Sequence, residues 1–116
     1  MDKLERYRDI IEHALREVVR STESAETYAA ANLRDKAVFD RRADSYLIVR
    51  QGWDGRKHIN NVVVHVEILD GKIWVQEDWL EDGITAALEA AGIPKSDIVL
   101  GFYPADVRPH TEYAVA

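Results

Sequence analysis

His65 and Glu67 stand two apart in the β-branched run from Val62 to Leu69. In an extended chain that spacing puts an imidazole and a carboxylate on one face, where they could share a metal or pair as base and orienting group. Two ligands do not make a metal site, and the third is not visible. The plainer reading is a partly buried histidine, hydrogen-bonded at a sheet surface. Near the end of the chain Arg108, His110 and Glu112 alternate beside Tyr103 and Tyr113. They could bind an anion or a partner, or strap the tail to the domain through Arg–carboxylate contacts. Glu77, Asp78, Glu81 and Asp82 crowd a strand-to-helix junction. A divalent cation needs converging oxygens, whereas acids in a first helical turn are common for stability alone. His13 and His58 read as single exposed residues. The sequence shows no Gly-rich phosphate loop, nucleophile elbow or zinc spacing. No catalytic, cofactor-binding or metal-binding residue is therefore assigned, and no cofactor is implied.

The elements that position these residues centre on Asp44 to Trp79. Asp70-Gly71 lies between two β-branched runs, the strongest short-range signal for a two-residue hairpin. The implied register pairs Leu69 with Lys72, Ile68 with Ile73, Glu67 with Trp74 and Val66 with Val75. It gathers Val62, Val64, Val66, Ile68, Ile73 and Val75 on a core face. Val63, His65, Glu67, Leu69, Lys72, Trp74 and Gln76 fall on a mixed face, where partner recognition belongs. Upstream, Leu4, Tyr7, Ile11, Ala14, Leu15 and Val18 recur at helical spacing, so residues 3 to about 20 read as a helix with Asp2 as its N-cap. Residues 23 to 35 are ambiguous between helix and irregular connection. Residues 36–42 read as a first strand, 45–52 as a second, 58–69 as a third and 72–77 as a fourth. A bulge is expected at Asn60-Asn61, since asparagine suits strands poorly. Leu80, Ile84, Ala87, Leu88 and Ala91 predict a second helix that Gly92 stops, with Glu81 and Asp82 in its first turn. Residues 101–116 read as an irregular tail whose apolar end, Tyr113-Ala114-Val115, docks. The expectation is one α+β domain over 1–116. A four-stranded antiparallel meander carries an N-terminal and a C-terminal helix on one face.

A chain of 116 residues with 47% hydrophobic content suits one folded core. The absence of cysteine removes disulfide and thiolate chemistry and fits a reducing compartment. No apolar run reaches membrane-span length, and MDKLERYRDI lacks a signal-peptide core, so the expected location is the cytoplasm. A net charge of −6 is the wrong sign for duplex DNA, so direct DNA binding is expected to be weak or indirect. A local basic patch of Arg41, Arg42, Arg56 and Lys57 remains the alternative, against solvated turn residues. An acidic domain is better placed to meet a basic protein.

Several stretches coincide with one family. MDKLERYRDIIEHAL, Gly52-Trp53-Asp54, VVVHVEILDGKIWVQED and GIPKSDIVLGFYPADVRPHTEYAVA together resemble the XisI family, named for the fdxN element excision controlling factor of cyanobacteria. The resemblance runs over nearly the whole chain and is weakest at residues 23–35. Tyr103 stands where the family often has His, Trp79-Leu80 replaces smaller or polar residues, and Glu67 replaces a common Asp. A catalytic or metal role for a His at 103 could not operate here, which favours binding. The resemblance implies a controlling factor for DNA rearrangement during heterocyst differentiation, not the recombinase. Its companion, XisH, resembles restriction-endonuclease-like nucleases, and such pairs have been considered as toxin–antitoxin modules. It therefore implies a non-enzymatic regulator that contacts an XisH-like or recombinase partner. A direct DNA-binding accessory factor and a small metal-dependent hydrolase are the alternatives. Trp is enriched at contact hot spots, so His65, Glu67, Trp74, Trp53, Trp79, Arg108, His110 and Tyr113 form the candidate interface. A homodimer or higher oligomer would bury Trp74 or the Tyr113–Val115 end. The alternative is that the tail covers that face within one chain.

Overall fold

The computed structural model describes residues 2–23 and 32–116. Of the ambiguous stretch 23–35, residues 24–31 lie outside the described residues, Glu23 ends the first helix and 33–35 open the first strand. Helix α1 spans Lys3–Glu23. The Asp2 carboxylate accepts the Glu5 amide at 2.8 Å, which satisfies one of the donors that an N-terminus leaves open. Tyr7, Ile11, Ala14 and Leu15 form its buried stripe.

Four strands follow as the hairpin signals require: β1 (Leu33–Asp40), β2 (Ser45–Asp54), β3 (Lys57–Leu69) and β4 (Lys72–Asp78). Strand β1 sits two to three residues earlier than the sequence pattern suggests. The β3–β4 register is the expected one from Leu69↔Lys72 to Val66↔Val75. Asp70 and Gly71 both take positive φ, 50° and 78°, as a two-residue turn of this type demands. Past Val66 the register slips, and His65 faces Glu77. A second irregularity lies between Ile48 and Val49 of β2, opposite Val62–Val64, rather than at Asn60-Asn61. Val63 is consequently buried, while Val62 is only half-buried, the reverse of the expected faces.

The four-stranded antiparallel expectation is corrected by the last strand. Ile98–Leu100 forms β5, parallel to β4, and completes a five-stranded sheet in the order β1-β2-β3-β4-β5. Parallel neighbours need a crossover connection, and α2 (Thr85–Ala90) supplies it. A three-residue strand carries no periodicity to read, so only its apolar run was visible. Helix α2 is also shorter than expected. Gly83 takes φ 75°, and the Asp78 carboxylate accepts the amides of Leu80 at 3.2 Å and Ile84 at 2.7 Å. Glu81 and Asp82 therefore lie in the turn before α2 and not in its first helical turn.

One core lies between the helices and one sheet face. It joins Tyr7, Ile11 and Leu15 of α1, Leu88 of α2, and Tyr46, Ile48, Val64, Val66, Ile68, Ile73, Val75 and Ile98 of the sheet. Polar staples hold α1 in place. Arg41, in the β1–β2 turn, binds Glu12 at 2.7 Å, Glu5 at 3.0 Å and Asp9 at 2.7 Å. Arg8 of α1 grips Asp44 at 2.8 Å, and the Tyr46 hydroxyl donates to the same carboxylate at 3.0 Å.

Candidate functional site

The sheet face away from the helices carries His65, Glu67 and Trp74. His65 and Glu67 alternate on β3, and Trp74 pairs with Glu67 across the ladder. All three are half-buried. His65 Nε2 lies 2.8 Å from the Ser45 hydroxyl, and Glu67 accepts Gln76 Nε2 at 3.2 Å. Each polar group thus has a neighbour on the sheet, which matches the plainer reading of His65. The Ser45–His65 contact has the reach of a nucleophile–base pair, but Glu67 bonds Gln76 and supplies no orienting hydrogen bond to the ring.

The tail reaches this face at Trp74 and Gln76. The Arg108 guanidinium lies over the Trp74 ring, 5.0 Å from its centroid, a cation–π arrangement. The same guanidinium donates to the carbonyl of Tyr103 at 3.1 Å and, more weakly, to that of Val115 at 3.4 Å. Arg108 therefore meets the sheet through the Trp74 indole, its two carbonyl partners lie within the tail itself, and the expected Arg–carboxylate contact is not found among the described residues. Gly101 passes so close that a Cβ there would stand 2.7 Å from Gln76 Oε1 and 3.1 Å from the Trp74 ring. The Ala114 amide donates to Ile98 at 2.8 Å, so the chain end docks beside β5. Tyr113 points to the helix side, where its hydroxyl donates to Glu89 at 3.0 Å. Lys95 bridges Glu112 at 2.8 Å and lies near Glu89 at 3.8 Å, which ties the tail to α2. That contact holds the Glu112 carboxyl below its usual range.

The remaining candidates are elsewhere. Trp53 packs on its cross-strand neighbour His58, centroids 4.7 Å apart, near the tip of the β2–β3 hairpin. Trp79, 75% exposed, follows β4 and donates its indole N–H to Glu77 at 3.1 Å. His110 is exposed in a short 3-10 turn, Arg108–His110. The eight candidates thus form one cluster, His65, Glu67, Trp74 and Arg108, with four outlying residues.

The structure also separates the basic residues. Arg41 and Arg42 sit at one end of β2 and Arg56 and Lys57 at the other. Ten residues of strand span about 30 Å, so the four do not form one patch. Arg41 is moreover held by three carboxylates of α1. Among the described residues no three His, Asp or Glu side chains converge as a metal would require. Both oxygens of Asp78 in the acidic run already accept backbone amides.

Two polar pairings were not foreseen. Asp35 on β1 is fully buried at its side chain and accepts Arg50 Nε at 2.9 Å and a terminal guanidinium nitrogen at 3.1 Å. Nothing short of the β1–β2 register reveals that they are cross-strand partners. Tyr7 donates to Asp97, which also takes Lys3 at 2.9 Å. Burial, reinforced by that carboxylate, pushes the Tyr7 phenol up to about 12, while the same hydrogen bond and Lys3 hold Asp97 below the usual carboxylate range. These pairs fasten elements together.

A small α+β domain with a tail bound over Trp74 of its outer sheet face is therefore the class that fold and site define. The chain belongs to the XisI family, whose model, described as XisI protein, matches residues 1–115. A crystal structure of the fdxN element excision controlling factor XisI from Anabaena variabilis ATCC 29413 is 34% identical to this chain. It covers 99% of this chain and 100% of its own, with a TM-score of 0.75. A XisI-like protein from the same organism is 27% identical over 99% of this chain and all of its own, with a TM-score of 0.85. No curated protein matches the chain.

Proposed function

We propose that this protein is a regulatory factor that acts by protein–protein contact, with an XisH-like nuclease-related protein or a recombinase as its partner. It would control a DNA rearrangement or form one half of a toxin–antitoxin-like pair. The observation that carries this reading is the distribution of charge. The net charge is −6, and the cations that might have met phosphate stand at opposite ends of β2 or are tied to α1. Phosphate neutralisation dominates duplex binding, and such a surface disfavours it, whereas it complements a basic protein. The excision controlling factor named among the relatives supports the regulatory role. The partner surface in this reading includes the open part of the outer sheet face at His65 and Glu67, beside the Arg108–Trp74 cap. Co-expression with the neighbouring XisH-like gene product, followed by purification with and without DNA, tests the reading. A stoichiometric complex that survives nuclease treatment is expected. Recovery of the two proteins only through DNA would overturn it.

A further inference from the structure

A groove of about 910 Å³ runs between α1 and the segment leading through α2, and none of the eight candidate interface residues lines it. Ile10, Ala14 and Val18 form its floor on α1. They are spaced four apart, the ridge that a packing helix uses. Leu80, Ala87 and Ala91 form the facing wall. The α1 residues that line it run from Asp9 to Thr22, about 20 Å of helix at 1.5 Å per residue.

The rim is acidic. Asp9, Glu17, Glu81 and Asp82 line the groove, and among the described residues no Lys or Arg does. Asp9 is paired with Arg41 and Glu17 with Arg20. Among the described residues Glu81 and Asp82 have no such cation. These two acids precede α2 and do not lie in its first turn, so the helix dipole does not account for them. They are exposed carboxylates at the mouth of an apolar trough.

We propose that this groove receives an amphipathic helix from a basic partner, with an apolar stripe set on Ile10, Ala14 and Val18 and Lys or Arg flanks against Glu81 and Asp82. The proposal deepens the reading of the protein as a binding regulator and rests on it for the existence of a partner. Charge complementarity selects the occupant. A second copy would bring one acidic rim against another, and nucleic acid would add phosphates to carboxylates. Alanines at 14, 87, 90 and 91 leave room for a helix to approach closely, as helix-in-groove recognition requires.

The probe is a labelled helical peptide of about 18 residues, with Leu at i, i+3, i+4 and i+7 spacing and Lys elsewhere, titrated by fluorescence anisotropy. Controls are a scrambled peptide of the same composition and a version with Glu for Lys. Saturable binding that weakens with salt is expected for the Lys peptide alone. The exposed double substitution Glu81→Lys with Asp82→Lys should weaken it about tenfold or more, and Ala87→Arg, which fills the trough, should do the same. Circular dichroism checks that both variants fold, and Val38→Ala, an exposed change on β1 outside the groove lining, should leave binding unchanged. The proposal is overturned by binding that ignores both groove variants, by equal binding of the scrambled peptide, or by no saturable binding. It is also overturned if the wild type is a dimer that the groove variants dissociate, since a second copy would then hold the site. An XisH-like protein that co-purifies equally with wild type and groove variants overturns the groove and leaves the regulatory reading standing.

Discussion

Arg50 reaches across from β2 to Asp35 with two hydrogen bonds, and the Asp35 side chain is fully shielded from water. Removing one partner of a buried pair leaves an uncompensated charge, whereas replacing both by apolar groups is far milder. Arg50→Ala should therefore cost about 3–5 kcal/mol in urea denaturation. A double replacement, Asp35→Leu with Arg50→Met, should cost clearly less. Equal losses would mean that the pair contributes only packing. Acid stability turns on Asp44 and Asp97. The Arg8 guanidinium beside Asp44 and the Tyr7 hydroxyl beside Asp97 hold both carboxyls below their usual range. A depressed folded pKa means that the stabilisation is complete above the ordinary carboxylate value near 4 and is lost as pH falls through the folded value. Unfolding midpoints should thus drop below about pH 4, and Asp44→Asn should flatten that drop. The Tyr7 phenol, pushed up to about 12, works in the other direction. Its contribution is complete below about pH 10 and fades as pH rises toward the folded value.

The elements differ in how well the chain announces them. Asp70-Gly71 and the alternation around it carry the β3–β4 register, because a two-residue turn leaves no freedom in pairing. Helix α1 is equally legible, since Asp2 caps it and Tyr7, Ile11 and Leu15 repeat at helical spacing. Strand β5 is not, because Ile98–Leu100 is shorter than any period and its partner lies across a helical crossover. The shortening of α2 was hidden for a related reason: Asp78 captures the Ile84 amide from six residues away. The buried Ile73 of β4 tests the legible part. Ile73→Ala should cost about 2–5 kcal/mol by thermal or urea unfolding, and a negligible loss would contradict its place in the core. The tail tests the other part. In a Trp53→Phe, Trp79→Phe background, Arg108→Ala should release the cap on Trp74 and shift its emission to the red. Unchanged emission would mean that Arg108 does not shield the ring.

At the scale of the whole molecule, the candidate site was legible in its residues but not in its assembly. The alternation rule placed His65 and Glu67 on one side of β3 and put Trp74 opposite Glu67. Only the folded tail shows that Arg108 joins them and that Tyr113 leaves for the helix side. That tail bears on self-association. Trp74 is capped by its own chain, so a homodimer, which we propose, would draw on Trp79 or the exposed Phe102-Tyr103 pair. Sedimentation should show a dimer that Trp79→Ala weakens. A monomer at micromolar concentration would mean that the tail completes the surface alone. We propose that this acidic domain of the XisI family regulates through a protein and not by gripping DNA. Electrophoretic mobility and salt titration of the isolated protein on duplex DNA, set beside co-purification with the XisH-like neighbour, test it most directly. Weak or no duplex binding at physiological salt is expected, together with a protein complex that persists after nuclease digestion. Tight, sequence-specific binding by the isolated protein, falling steeply with salt, would contradict it.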